Sequence, residues 1–180
     1  MASILGVEIP DSRPVFLAVL AVHVLAGGTA VICGATAALA RKRPGRHPRA
    51  GRIYLSALGV VFATAAAMTV LRWPHNLHLL AIGTVAFIAG LAGWRARRRR
   101  RPGWARRHLL GMGASYVALL TGFYVDNGPQ LPVWRLLPDW SFWFLPTAVA
   151  TPIVARALLR YRTPPPEPQV RSDSRRGRIA

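Results

Sequence analysis

The chain has 180 residues, is 52% hydrophobic and only 17% charged, short of the roughly one quarter expected of a soluble domain. A net charge of +18 would suit a nucleic-acid binder, but the arginines flank apolar blocks instead of covering one face, so nucleic acid is set aside as a partner. The single cysteine, Cys33, lies inside an apolar block and has no intrachain partner for a disulfide.

Residues 1–13 form a short polar lead with Glu8 and Asp11. Residues 14–40 are uncharged, interrupted only by His23, and exceed the about 20 residues that cross a hydrocarbon core. Ala38-Leu39-Ala40 mimics a signal-cleavage site. The lead is not basic, however, and the run outlasts a signal core of about 7–15 residues, so the segment is expected to remain as a span. Residues 41–52 read as a basic loop and 53–71 as a second span. Arg72-Trp73-Pro74-His75-Asn76 is a tight connection that makes neighbours of spans two and three. The third span is 77–94, followed by a second basic loop at 95–107 and a fourth span at 108–125. Residues 126–140 form an outer loop rich in Pro and Trp. The fifth span, 141–159, contains Pro146 and Pro152, which membrane helices tolerate as kinks. Residues 160–180 carry a proline run and scattered arginines with little to bury, and are expected to be a disordered basic tail. The expected fold is therefore all-α, an integral membrane bundle of five transmembrane helices.

Sidedness follows from the 24 Lys and Arg residues, of which all but Arg13, Arg72 and Arg135 fall in the two basic loops and the C-terminal stretch from Arg156. The positive-inside rule places that side in the cytoplasm of an inner-membrane protein, with the N-terminus outside. Asp126 and Asp139 then sit at the outer surface, expected to be solvated. Trp73, Trp134, Trp140 and Trp143 form an outer aromatic belt, and Trp94 and Trp104 an inner one. The arginines are topology signals first and contacts for anionic lipid headgroups second.

One stretch occurs twice. His23-Val-Leu25-Ala26-Gly-Gly28-Thr29 returns 55 positions later as His78-Leu-Leu80-Ala81-Ile-Gly83-Thr84. Shared Ala, Leu and Gly are common in membrane helices, but an intramembrane histidine costs a few kcal/mol, about what the translocon scale assigns to such groups. The residues 14–125 are accordingly expected to be two repeated hairpins. Counted from the basic side at about 1.5 Å per residue, His23 and His78 both lie some 26 Å up, near the outer edge of the core. Small-residue stripes at Ala26, Ala30, Gly34 and Ala38 and at Ala81, Val85, Ala89 and Gly93 put both rings on bundle-facing sides. The fourth span has a stripe of its own, Gly111, Ser115, Ala118 and Gly122. His75 lies one turn before His78. His47 and His108 form a second, inner pair on spans two and four, followed by Tyr54 and Tyr116.

His47-Pro-Arg-Ala-Gly51-Arg52-Ile-Tyr54 resembles the His-x-x-x-Gly-Arg-x-Tyr motif of a bacterial family of multi-pass membrane proteins of unassigned function. His23, His75, His78, and His108 with Met112 and Tyr116 share in the likeness, which covers roughly residues 14–125 and implies a helical bundle without supplying an activity. The layout is also similar to cytochrome b561-type proteins, whose four core helices carry two histidine pairs, each holding a haem near one membrane face. His47 departs from that pattern, being followed by Pro48 in an arginine-rich loop.

The four histidines His23, His78, His47 and His108 thus stand as candidate ligands of haem b, through neutral imidazole nitrogens. Such a protein would pass electrons between haem and a quinone or an outer acceptor. A second reading has His23, His75 and His78 binding a small metal ion, since imidazole suits Zn and Cu. The plain reading of the outer pair is an interhelical hydrogen bond worth about 1 kcal/mol. For His47 and His108 it is an interfacial pair beside arginines. In that case the chain is a non-catalytic bundle, either a small transporter or a subunit of a membrane complex. No nucleophile–base pair, phosphate loop or paired carboxylates can be read in the chain.

Overall fold

The computed structural model describes residues 2–4, 7–9, 11, 13–41 and 44–159. Five helices are each long and apolar enough to cross a membrane. They are α1 (Pro14–Leu39), α2 (Arg46–Leu71), α3 (Leu77–Arg99), α4 (Trp104–Asn127) and α5 (Ser141–Leu159). The protein is an all-α multi-pass membrane bundle. Ahead of α1 a small antiparallel hairpin pairs β1 (Ala2–Ile4) with β2 (Val7–Ile9), Ala2 opposite Ile9 and Ile4 opposite Val7. The sequence reads there as a polar lead only. Its β-branched Ile4, Val7 and Ile9 favour extended backbone. The tail 160–180 lies outside the described residues.

The helices run past their apolar stretches. α2 starts at Arg46 and α4 at Trp104, and α3 continues to Arg99, so most of each basic loop is helix. Hydropathy marks where lipid must be met, whereas Ala and Arg are strong helix formers that carry the backbone further. Pro48 falls on the third residue of α2, in a first turn whose N–H groups have no helical partner to lose. Gly45 and Gly103 precede α2 and α4 with φ of 116° and 75°, a left-handed backbone that Gly takes without strain.

The closest pairings are α1 with α2 and α3 with α4, forming two hairpins joined through α2 and α3, while α5 lies against α4. α2 is the central element. Its Ala50, Tyr54, Ala57, Leu58, Val61, Ala65 and Met68 are all buried, at the three-and-four spacing of one helical face. Ala30, Tyr54, Ala57, Leu58 and Ala86 make the main core, and Phe16 with Met68 a smaller one. At the α3–α4 crossing the backbones touch. A Cβ on Gly93 would stand 2.8 Å from the Met112 amide nitrogen, and one on Gly111 2.7 Å from the Gly93 Cα. Small residues allow this approach where lipid gives no hydrophobic drive to helix association.

The expected stripes are partly displaced. On α1, Ala30 and Ala37 are buried and Gly34 faces the rings of Tyr116 and Tyr54, while Ala38 is exposed. On α3 the buried residues are Ala86, Gly90 and Gly93, and Ala81 and Val85 are exposed. At about 100° per residue that buried face lies roughly a quarter-turn from the one carrying His78. The α4 stripe faces inward as expected, with Ser115 fully buried. Beyond α4 the chain forms 3-10 turns at Gly128–Gln130 and Trp134–Leu136, and the buried Phe142 ring packs where a Cβ on Gly128 would lie.

Candidate functional site

The inner ends of the hairpins bring His47 and His108 together. Both rings are half-buried, their centres are 6.3 Å apart and their planes cross at 88°. His47 Nδ1 lies 2.8 Å from the Ala37 carbonyl, and His108 Nδ1 lies 3.0 Å from the Gly93 carbonyl. A carbonyl oxygen only accepts, so in each ring Nδ1 is the donor. A neutral imidazole held this way bears its lone pair on Nε2. The two bonds have the same form: a histidine near the start of the second helix of a hairpin reaches a carbonyl near the end of the first. Local sequence explains both. Ala37 is in the last turn of α1, within reach of the start of α2. Gly93 has no side chain, so α4 comes close enough for His108 to reach its oxygen. The expectation that His47 sits in a loop is corrected, since helical backbone holds it.

One layer deeper the centres of the Tyr54 and Tyr116 rings are 6.1 Å apart. The Tyr54 hydroxyl is 2.7 Å from Ser115 Oγ, and the Tyr116 hydroxyl donates to the Val31 carbonyl at 3.1 Å. These bonds tie α2 to α4 and α4 to α1. At about 1.5 Å per residue, Tyr54 is some 10 Å deeper than His47, leaving a separate layer for the histidines.

The outer histidines do not face one another. His23 Nδ1 lies 2.9 Å from Thr64 Oγ1. The Thr64 hydroxyl gives its proton to the backbone, reaching the Val60 carbonyl at 2.7 Å, so His23 is the donor to it. His23 therefore points at α2, inside its own hairpin. His78 is exposed and lies against Trp143 of α5, with ring centres 6.5 Å apart. The expectation that both rings look into the bundle holds for His23 and is corrected for His78. Its face is the one turned a quarter of the way round α3. No ring contact joins His23 to His78. Gly27 and Gly28 of the repeated stretch have nothing within 4 Å of an added Cβ, on a face that is partly or fully exposed.

Asp126, near the end of α4, is exposed, and His78, His23 and Arg72 all lie within its electrostatic reach. The outer rim thus gathers a carboxylate and two imidazoles from α1, α3 and α4. Among the described residues no group of three or more His, Cys, Asp or Glu is placed to hold a metal ion. His23, His75 and His78 do not make such a group, and His75 is exposed in the connection between α2 and α3.

Sequence reasoning missed Thr64 as the partner of His23, Ser115 as the partner of Tyr54, and the proximity of Asp126 to the outer histidines. Thr64 and Ser115 are single hydroxyls in apolar helices, and nothing in the sequence marks their azimuth. No family model, curated protein or solved structure matches the chain.

Proposed function

We propose that the protein is a membrane-embedded b-type haem electron carrier whose iron ligands are His47 and His108. The observation that carries this reading is the pair of neighbouring imidazoles with crossed planes, each held through Nδ1 by a backbone carbonyl. Ligating histidines are commonly fixed in that way, which orients the ring and aims Nε2 at the metal. The ring separation discriminates among centres. With a metal–nitrogen bond of about 2 Å and roughly 1 Å more to each ring centre, imidazoles on opposite sides of one metal have centres roughly 6 Å apart. A tetrahedral site would bring them to about 5 Å. A direct in-line hydrogen bond of about 2.9 Å would also give about 5 Å. The observed 6.3 Å is longer than either of these and close to the first value.

A pair of histidines suits a macrocycle that supplies four nitrogens of its own. When bound, haem b provides one-electron redox chemistry. The chain's part is to fix the rings, exclude water with the Tyr54–Tyr116 layer, and offer arginines at the inner rim to the propionates. A lipophilic partner such as a quinone can approach from the bilayer along an apolar groove of about 690 Å³ between α3, α4 and α5, which passes Leu110, two residues from His108. The arginine distribution supports an inner-membrane orientation with this site on the cytoplasmic side and the N-terminus outside.

The test is the absorption spectrum of protein purified after growth with a haem precursor. A Soret band is expected, lost in His47→Ala and in His108→Ala but kept in His23→Ala and His78→Ala. A colourless wild-type preparation overturns the reading and leaves a non-catalytic bundle.

A further inference from the structure

The inner rim of the second hairpin holds a recess of about 350 Å³ lined by Arg95, Arg99, Arg101 and Arg107 together with Trp104. Among the described residues the single salt bridge is Arg13 with Asp11, so none of these four guanidiniums meets a carboxylate. The recess also lies at the start of α4, where no side chain caps the helix and the first turn carries no acidic residue. The first N–H groups there lack helical partners and add partial positive charge. Four cations and a helix N-terminus around one open recess are screened by water and salt, and together they favour an anion there.

The depth of the recess identifies the source of that anion. The Arg98 guanidinium lies 5.1 Å from the centre of the Trp94 ring, and that of Arg100 lies 6.0 Å from Trp104. Tryptophans gather at headgroup level, and basic pockets between helices on the cytoplasmic side suit phospholipid headgroups. Guanidiniums bind phosphate through two parallel N–H bonds, so four of them serve two phosphates better than one. We infer that this recess is a binding site for an anionic phospholipid whose headgroup carries two phosphates. The inference rests on the orientation proposed above but not on haem, and its readout is lipid mass, whereas that of the haem reading is colour.

The full-length chain is purified, stripped of lipid in detergent, and titrated while the bound mass is read by native mass spectrometry. The probes are cardiolipin, phosphatidylglycerol, phosphatidylcholine and inorganic phosphate. Cardiolipin is expected to bind at least about tenfold more tightly than phosphatidylglycerol, with inorganic phosphate weaker still. Arg99→Gln with Arg107→Gln should abolish that preference. Arg46→Gln with Arg49→Gln, on α2, should keep it. Arg99→Lys with Arg107→Lys keeps the charge and should still lose most of the preference, because lysine lacks the planar fork. Three results overturn the proposal: equal affinity for the two anionic lipids, equal loss in the α2 variant, or full displacement of cardiolipin by inorganic phosphate.

Discussion

The Tyr54 phenol and the Ser115 hydroxyl lie 2.7 Å apart at the centre of the bundle, where Tyr54 is 1% exposed and Ser115 0%. This bond ties the central helix of one hairpin to the second helix of the other. Gly90 makes room for it, since a Cβ there would stand 2.8 Å from Ser115 Oγ. Tyr54→Phe and Ser115→Ala should each lower stability by about 1 kcal/mol. The double variant should lose less than the sum, with a coupling of about 0.6 kcal/mol and no more than roughly 1.7. A double-mutant cycle of detergent unfolding measures it, and strict additivity would contradict the bond.

The α3–α4 crossing makes a stronger prediction. Gly93→Ala and Gly111→Ala place a methyl against backbone, which cannot move aside as a side chain can. Each should cost about 1–3 kcal/mol, the range for overpacking a well-filled contact. Gly93→Ala should also shift the carbonyl that holds His108 and, on the proposed haem reading, lower the Soret absorbance along with stability. Gly27→Ala, with nothing within 4 Å, is the control and should be neutral or slightly stabilising. Thermal unfolding and the Soret absorbance of the same samples separate the two effects.

Just before α1, Arg13 donates to both carboxylate oxygens of Asp11 and, at 2.8 Å, to the Leu71 carbonyl at the end of α2. The side-chain and backbone hydrogen bonds from Arg13 hold the Asp11 carboxyl below its ordinary value of 3.8. A lowered folded-state pKa gives stability that is present above that ordinary value and is lost as pH falls through the lower, folded one. The melting temperature of the wild type should therefore dip below that window slightly more than that of Asp11→Asn. The effect should be small, because exposed ion pairs contribute little. Melting curves across the acid range check it, and a larger dip in Asp11→Asn would contradict the pairing.

Topology reporters test the charge argument. Fusions at Gly103 and after Ala180 should report the cytoplasm and a fusion at Gly128 the outside. Matching signals from Gly128 and Ala180 would mean that α5 does not cross.

The sequence alone carried the number of spans, their order and the side on which the arginines collect. These are one-dimensional properties: a run of apolar residues must meet lipid wherever its helix is placed, and charge stays out of the core. The tertiary structure decided azimuth and partnership. His23 and His78 share a local sequence, yet His23 meets Thr64 on α2 whereas His78 lies against Trp143 on α5. Their helices are rotated differently against unlike neighbours, and α5 has no counterpart beside α1. His47 read as a loop residue because Pro48 and the arginines surround it, although a proline in the first helical turn costs no hydrogen bond. Its pairing with His108 arises because α1 ends, and α3 passes Gly93, where a carbonyl meets each ring, and only the packed hairpins bring those carbonyls into place.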